Sequence, residues 1–124
     1  MVLNQESFWQ LHARLYLWKN LISMDLEQKE WTAKQEEFDN FVVLDVRTAE
    51  EFAEKRLPQA QILDINDAKN FMEGMEQLDK SKAYFVYCRS GARSARACAV
   101  MQQYGFPVTF NLLGGILAWE GPTE

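Results

Sequence analysis

The chain is poor in metal-binding side chains: of its 124 residues only His12, Cys88 and Cys98 are histidine or cysteine. Those three cannot furnish the four ligands of a structural zinc site, which is excluded. The two cysteines lie ten residues apart, with a predicted helix between them. That is poor geometry for a bridge, so both read as reduced thiols of a cytoplasmic protein. Long apolar runs are also missing. None approaches the ~18 residues that span a bilayer, and Met1 to Gln10 lacks the basic start and unbroken apolar stretch of a signal peptide. With 48% hydrophobic residues the composition is that of a globular protein, which excludes disordered, collagen-like and coiled-coil chains. The length suits one domain.

A further absence is local. Between Asp79 and Glu120 there is no acidic residue, while Lys80, Lys82, Arg89, Arg93 and Arg96 all fall there. This window carries +5 in a chain of net charge −5, so the remainder carries −10. A mostly acidic surface repels phosphate, and a nucleic-acid partner is not the natural reading. A small anion held by the basic window fits better. Lys80 and Lys82 also read as ordinary solvated residues ahead of a strand.

What is present alternates. Ser7 with Gln10 forms a capping signature for a helix over 5–21, whose Phe8, Leu11, Leu15, Trp18 and Ile22 recur at helical spacing. A polar helix is predicted over about 25–37, with Asp25 and Gln28 as its cap. Phe41 to Asp45 reads as a strand covered on both faces. Thr48 and Glu51 cap a short helix to about Lys55, which Pro58 ends. Ala60 to Ile65 reads as a strand, 67–78 as helix and Ala83 to Tyr87 as a strand. A helix over about 92–104 stops at Gly105 and Pro107, Val108 to Asn111 is the last strand, and a short helix ends at Trp119. Strands alternating with helices predict a parallel sheet covered on both faces, with ligands beyond the carboxyl ends of its strands.

Cys88 follows such a strand directly. The loop Cys88-Arg89-Ser90-Gly91-Ala92-Arg93-Ser94 then opens a helix, whose first turn leaves N–H groups unpaired and adds the positive end of its dipole. A thiol there ionises more readily than its free value of ~8.5. Gly91 permits backbone angles closed to other residues, Ser90 and Ala92 are small, and Arg89 and Arg93 add fixed charge. The pattern points to a nucleophilic cysteine facing an anion. The bland alternative is a buried core thiol, which gains nothing from a glycine-containing, arginine-flanked turn. Cys98, among Ala95, Ala97 and Ala99, reads as a packing residue, with a resolving thiol as the alternative. His12 reads as a surface or packing histidine.

Three motifs in order, Asp45-Val46-Arg47-Thr48-Ala49-Glu50-Glu51-Phe52, Tyr87-Cys88-Arg89-Ser90-Gly91 and Asn111-Leu112-Leu113-Gly114-Gly115-Ile116-Leu117-Ala118-Trp119, give residues 41–119 a resemblance to a single rhodanese domain. The resemblance implies an α/β three-layer fold, with a five-stranded parallel sheet between helices and the N-terminal amphipathic helix as an addition. Residues 1–37 would be a helical extension and 38–124 the domain. It also implies a sulfurtransferase without cofactor or metal. Cys88 would carry sulfane sulfur as a persulfide, loaded by an anionic donor such as thiosulfate or a persulfide and unloaded by cyanide or a thiol. Arg89, Ser90, Gly91, Ala92, Arg93 and Ser94 would bind the substrate. Asp45 would accept hydrogen bonds from backbone or arginine, and Arg47 would pair with Glu51 or add to the field of the pocket. No nucleic acid or membrane partner is implied. Residues 5–21 would pack on the domain itself, or serve a homodimer or a protein sulfur acceptor.

One segment departs from the family pattern. Where the family usually has Gly-His-Ile-Pro-Gly-Ala, this chain has Lys55-Arg56-Leu57-Pro58-Gln59-Ala60. Two rival functions remain. A cysteine-dependent phosphatase or arsenate reductase of similar fold would have five residues between Cys and Arg, where this chain has four between Cys88 and Arg93. A non-catalytic rhodanese-like module would usually lack the cysteine, which is present.

Overall fold

A computed structural model of the chain describes residues 22–124. The helix expected over 5–21, with its Ser7 cap, Trp9, His12 and Trp18, lies outside the described residues. Five strands, β1 (Ile22–Leu26), β2 (Phe41–Asp45), β3 (Gln61–Ile62), β4 (Ala83–Tyr87) and β5 (Val108–Leu112), form one sheet in the order β1-β5-β4-β2-β3. Every pairing is parallel. The helices are α1 (Gln28–Gln35), α2 (Ala49–Glu54), α3 (Ala68–Glu76) and α4 (Ala92–Gln103), and a turn of 3₁₀ helix spans Ile116–Ala118.

Side chains alternate across the strands and divide the interior into two cores. Val42, Leu44, Tyr84 and Val86 meet Phe71 and Met75 of α3 and Ala97, Cys98 and Met101 of α4. Val43, Ala83, Phe85, Tyr87, Val108 and Phe110 face the other way, against Trp31 of α1, Leu57 and Ile116. Each fully buried large side chain contributes roughly 1.5–3 kcal/mol. The chain is therefore three-layered, with α3 and α4 on one face and α1 with the 3₁₀ turn on the other.

The structure corrects three expectations. The helix expected over about 25–37 begins later, because residues 22–26 pair with β5 in register, Ile22 beside Val108 and Leu26 beside Leu112. Asp25 caps nothing, because its carboxylate accepts from Asn111 of β5 at 2.9 Å. Helix α1 starts after Glu27, which makes no side-chain cap. The alternation Ile22-Ser23-Met24-Asp25-Leu26 carried the strand signal. Residues 22–37 thus belong to the sheet and its covering layer. The strand expected over Ala60–Ile65 shortens to Gln61–Ile62, opposite Leu44 and Asp45. The final helix is a single 3₁₀ turn.

Helix α1 has few apolar residues and is held by tertiary contacts. Trp31 is its only buried residue. Its indole Nε1 donates to the Phe110 carbonyl at 3.0 Å and its ring meets Phe85 edge-on at 5.6 Å. Helix α2 begins with a capping box: Thr48 Oγ1 accepts from the Glu51 N–H, and the Thr48 N–H donates to Glu51 Oε1, both at 3.2 Å. Helix α4 ends where Gly105 turns left-handed at φ 90° ahead of Pro107.

Candidate active site

Strand β4 runs down the middle of the sheet and delivers Cys88 to its carboxyl end. Gly91, left-handed at φ 107°, then caps α4, so the loop folds back over the sulfur. The Gly91 N–H donates to Cys88 Sγ at 3.0 Å and the Ser94 hydroxyl at 3.3 Å. Burial of Cys88 opposes its ionisation, but the Ser94 hydroxyl and the N–H groups of Ser94, Gly91 and Ser90 hold its thiol below the ordinary value. The twelve-residue α4 starts at this point and adds its dipole.

The loop is fixed from behind. Its Gly91 carbonyl accepts from the Ala95 N–H at 3.1 Å and from Asn111 Nδ2 at 3.2 Å. The same Asn111 amide reaches Asp25 of β1, while its Oδ1 is buried without a partner. The 3₁₀ turn clamps the other side: Ile116 N–H donates to the Cys88 carbonyl and Leu117 N–H to the Arg89 carbonyl, each at 3.0 Å. Only glycine fits at 115, where φ is 57° and a Cβ would stand 2.5 Å from the Cys88 carbonyl oxygen.

The residues singled out from sequence fall into distinct positions. Arg89, Ser90 and Ala92 are exposed on the outer side of the loop. Arg93 grips Glu51 of α2 with two bonds, Nη1 to Oε1 at 2.8 Å and Nη2 to Oε2 at 3.0 Å. Those bonds draw the Glu51 carboxyl down to about 2 against the cost of its burial. Ser94 is fully buried beneath the sulfur, where its hydroxyl donates to Cys88 Sγ. Arg47 pairs with Asp45 instead of Glu51, donating from Nε, Nη2 and its own backbone N–H at 2.7–3.1 Å. Asp45 also accepts from the Tyr87 hydroxyl at 2.6 Å.

Sequence reasoning missed Tyr87 and Asn111 as parts of this machinery. The Tyr87 hydroxyl accepts from the Leu57 N–H at 3.0 Å, and Arg47 Nη2 donates to the Lys55 carbonyl at 2.6 Å. The Asp45 group therefore anchors the segment that departs from the family pattern. The only available signal was its position at the strand ends. Gln59 there takes φ 64°, the one non-glycine positive φ among the described residues. Lys55 is extended and needs no glycine.

Cys98 is buried on α4 and unbridged, and burial pushes its thiol up to about 12. It is therefore protonated near neutral pH. Beside the Cys88 loop opens a cleft of about 400 Å³, lined by Arg47, Glu51, Glu54, Lys55, Arg89, Ile116 and Leu117. Among the described residues no cluster of histidine, cysteine and carboxylate side chains could hold a metal ion, and no helix is long and apolar enough to cross a membrane.

Comparison with known proteins matches this arrangement. A family model described as "Rhodanese-like domain" covers residues 28–122. YtwF of Bacillus subtilis, whose name assigns it provisionally as a sulfurtransferase, is 43% identical over 91 residues, which are 73% of this chain and 84% of that protein. A protein of Allochromatium vinosum named sulfurtransferase is 32% identical over 95 residues, covering 77% of this chain and 86% of its own length. A rhodanese-like domain protein from Staphylococcus aureus superposes with a TM-score of 0.69 at 25% identity, over 82% of this chain and 96% of the other.

Proposed function

As the chain belongs to the rhodanese-like domain family, we propose that it is a sulfurtransferase whose Cys88 carries sulfane sulfur as a persulfide. The sulfur-transfer role is supported by relatives named sulfurtransferase. The observation that carries the reading is the cradle itself: a thiol with depressed pKa, receiving the Gly91 N–H and the Ser94 hydroxyl at the carboxyl end of the central strand.

In the proposed cycle the Cys88 thiolate attacks the outer sulfur of thiosulfate or a persulfide. A bond forms between Sγ and that sulfur. The donor's sulfur–sulfur bond breaks, and its electron pair leaves with sulfite or a thiolate. The persulfide anion is held by the N–H groups from Ser90 to Ser94, the principle of an oxyanion hole applied to sulfur. Cyanide or a thiolate then attacks the outer sulfur, and the electron pair of the broken bond returns to Cys88. The hydrogen bonds that lower the Cys88 pKa ease formation of its thiolate without a dedicated general base. Arg89 is the loop cation that meets the donor, since Arg93 is bound to Glu51. A reducing, cytoplasmic setting would keep Cys88 and Cys98 free.

The phosphatase or arsenate reductase reading has less support, because its loop would have five residues between Cys and Arg, where this chain has four between Cys88 and Arg93. Nothing favours a non-catalytic module over an enzyme with the nucleophile in place.

Intact-mass analysis after thiosulfate treatment tests the reading. The chain should gain one sulfur atom that a reductant removes, and Cys88→Ser should gain none. No gain with any sulfane donor, alongside turnover of an aryl phosphate, would overturn it.

A further inference from the structure

Asn111 stands where an apolar residue would pack better. It lies on β5 between Asp25 of β1 and Val86 of β4, 2% exposed, in a strand position that favours β-branched and apolar side chains. Its Oδ1 is buried and has no partner among the described residues, which costs about what a hydrogen bond provides. The amide cannot turn to relieve this. Its nitrogen faces two acceptors, Asp25 Oδ1 at 2.9 Å and the Gly91 carbonyl at 3.2 Å. A turned amide would set its oxygen against both.

What the amide holds is the residue that aims at the sulfur. Gly91 is left-handed at φ 107°. Its N–H donates to Cys88 Sγ at 3.0 Å, and its carbonyl accepts from Asn111 and from the Ala95 N–H. Glycine has the least restricted backbone of any residue, so the aim of that N–H depends on what grips the carbonyl. The carbonyl also shares a peptide group with the Ala92 N–H at the start of α4, and a donor on the oxygen strengthens that N–H in turn. Asp25 lies one bond further out, exposed on the edge strand β1. A carboxylate only accepts, and its charge strengthens the bond, so it admits the Asn111 amide in one orientation.

We propose that Asp25 and Asn111 are positioning residues for the sulfur site: the Asp25 carboxylate orients the Asn111 amide, and the amide holds the Gly91 peptide so that its N–H stays on Cys88 Sγ. Both act through Gly91. The role concerns the reactive form of Cys88, and its meaning for sulfur transfer rests on the sulfurtransferase reading. The charge of Asp25 works in the opposite sense, since a negative charge near a thiol disfavours the thiolate. Orientation and charge therefore predict opposite signs when Asp25 is replaced.

The test follows alkylation of Cys88 by iodoacetamide, a neutral reagent, across pH in the full chain, Asp25→Ala, Asp25→Asn and Ser23→Ala. The adduct is read by mass on the peptide that contains Cys88. In Asp25→Ala water replaces the carboxylate, and because water donates as well as accepts it no longer fixes the amide. Alkylation near neutral pH should slow about 2- to 5-fold, the upper end being the whole worth of one hydrogen bond to sulfur, and the pH midpoint should move up. Asp25→Asn keeps an acceptor oxygen without the charge and should restore the parent rate or exceed it. Ser23→Ala removes the neighbouring cross-strand bond, from Thr109 Oγ1 to Ser23 Oγ at 3.1 Å, and should match the parent. A parent-like or faster rate in Asp25→Ala, or equal slowing in either of the other two variants, would overturn the positioning role. Failure of the unsubstituted chain to gain sulfur from any sulfane donor would instead overturn the sulfurtransferase reading and leave this comparison standing, because alkylation needs no donor.

Discussion

Glu51 holds Arg93 across 42 residues of sequence, its two carboxylate oxygens accepting from the two terminal guanidinium nitrogens at 2.8 and 3.0 Å. The same carboxylate caps α2 through Thr48. One side chain thus ties the helix that borders the cleft to the loop that carries Cys88, and it makes Arg93 a structural fastening.

Glu51→Gln should lower stability by about 1–2 kcal/mol at neutral pH, the scale of a two-pronged pair that is partly screened by solvent. The folded-state value of about 2 lies below the ordinary 4.5. The carboxylate therefore stabilises above pH 4.5, and that contribution is lost as pH falls from 4.5 toward 2. Chemical denaturation across that window should show a shallower acid limb in the variant. An unchanged limb would refute the fastening.

Ser94→Ala removes the hydroxyl that touches Sγ. A net hydrogen bond of about 1 kcal/mol converts to roughly a fivefold change in thiolate population. Alkylation of Cys88 near neutral pH should slow by about that factor, and the midpoint of its pH profile should move up. Fluorescence-monitored unfolding of the same variant separates this effect from damage to the fold.

Tyr87→Phe leaves the buried Leu57 N–H without its acceptor and takes one donor from the Asp45 carboxylate, which keeps its bonds from Arg47. Stranding a buried polar group costs roughly 1–3 kcal/mol. Urea denaturation should show a loss of about 2–3 kcal/mol, and hydrogen exchange at Leu57 should quicken.

Gln59→Gly should stabilise the protein. A side chain in the left-handed region at φ 64° costs about 1 kcal/mol that glycine does not incur, less glycine's greater entropy when unfolded. A gain of roughly 0.5 kcal/mol in thermal or urea unfolding is expected. A clear loss would mean that the Gln59 side chain is engaged in the fold.

The central architecture was legible from the residues. Strand β4 and the start of α4 fall where the apolar run and the glycine loop put them, because a strand buried on both faces reads as a continuous run of apolar and aromatic side chains. The edges were less legible. In β1 the polar Ser23 and Asp25 meet Thr109 and Asn111 of β5, so a strand that satisfies its own polar residues resembles a helix cap when read alone. The roles of Arg93 and Arg47 could not be read either. Two arginines and two carboxylates allow two pairings, and only the folded chain decides that Asp45 takes Arg47 and Glu51 takes Arg93.

The five residues of β4 are all buried, between β2 on one side and β5 on the other. The walls of the cleft are built from small outlying pieces: the six residues of α2, the single 3₁₀ turn and the segment that leads to the two-residue β3. The strand that delivers Cys88 and the cleft walls therefore tolerate change to different degrees. Substitutions at Glu54, Lys55 or Leu117 touch no part of the sheet's interior. Substitution along this rim therefore reshapes the cleft and leaves untouched the strand that delivers Cys88.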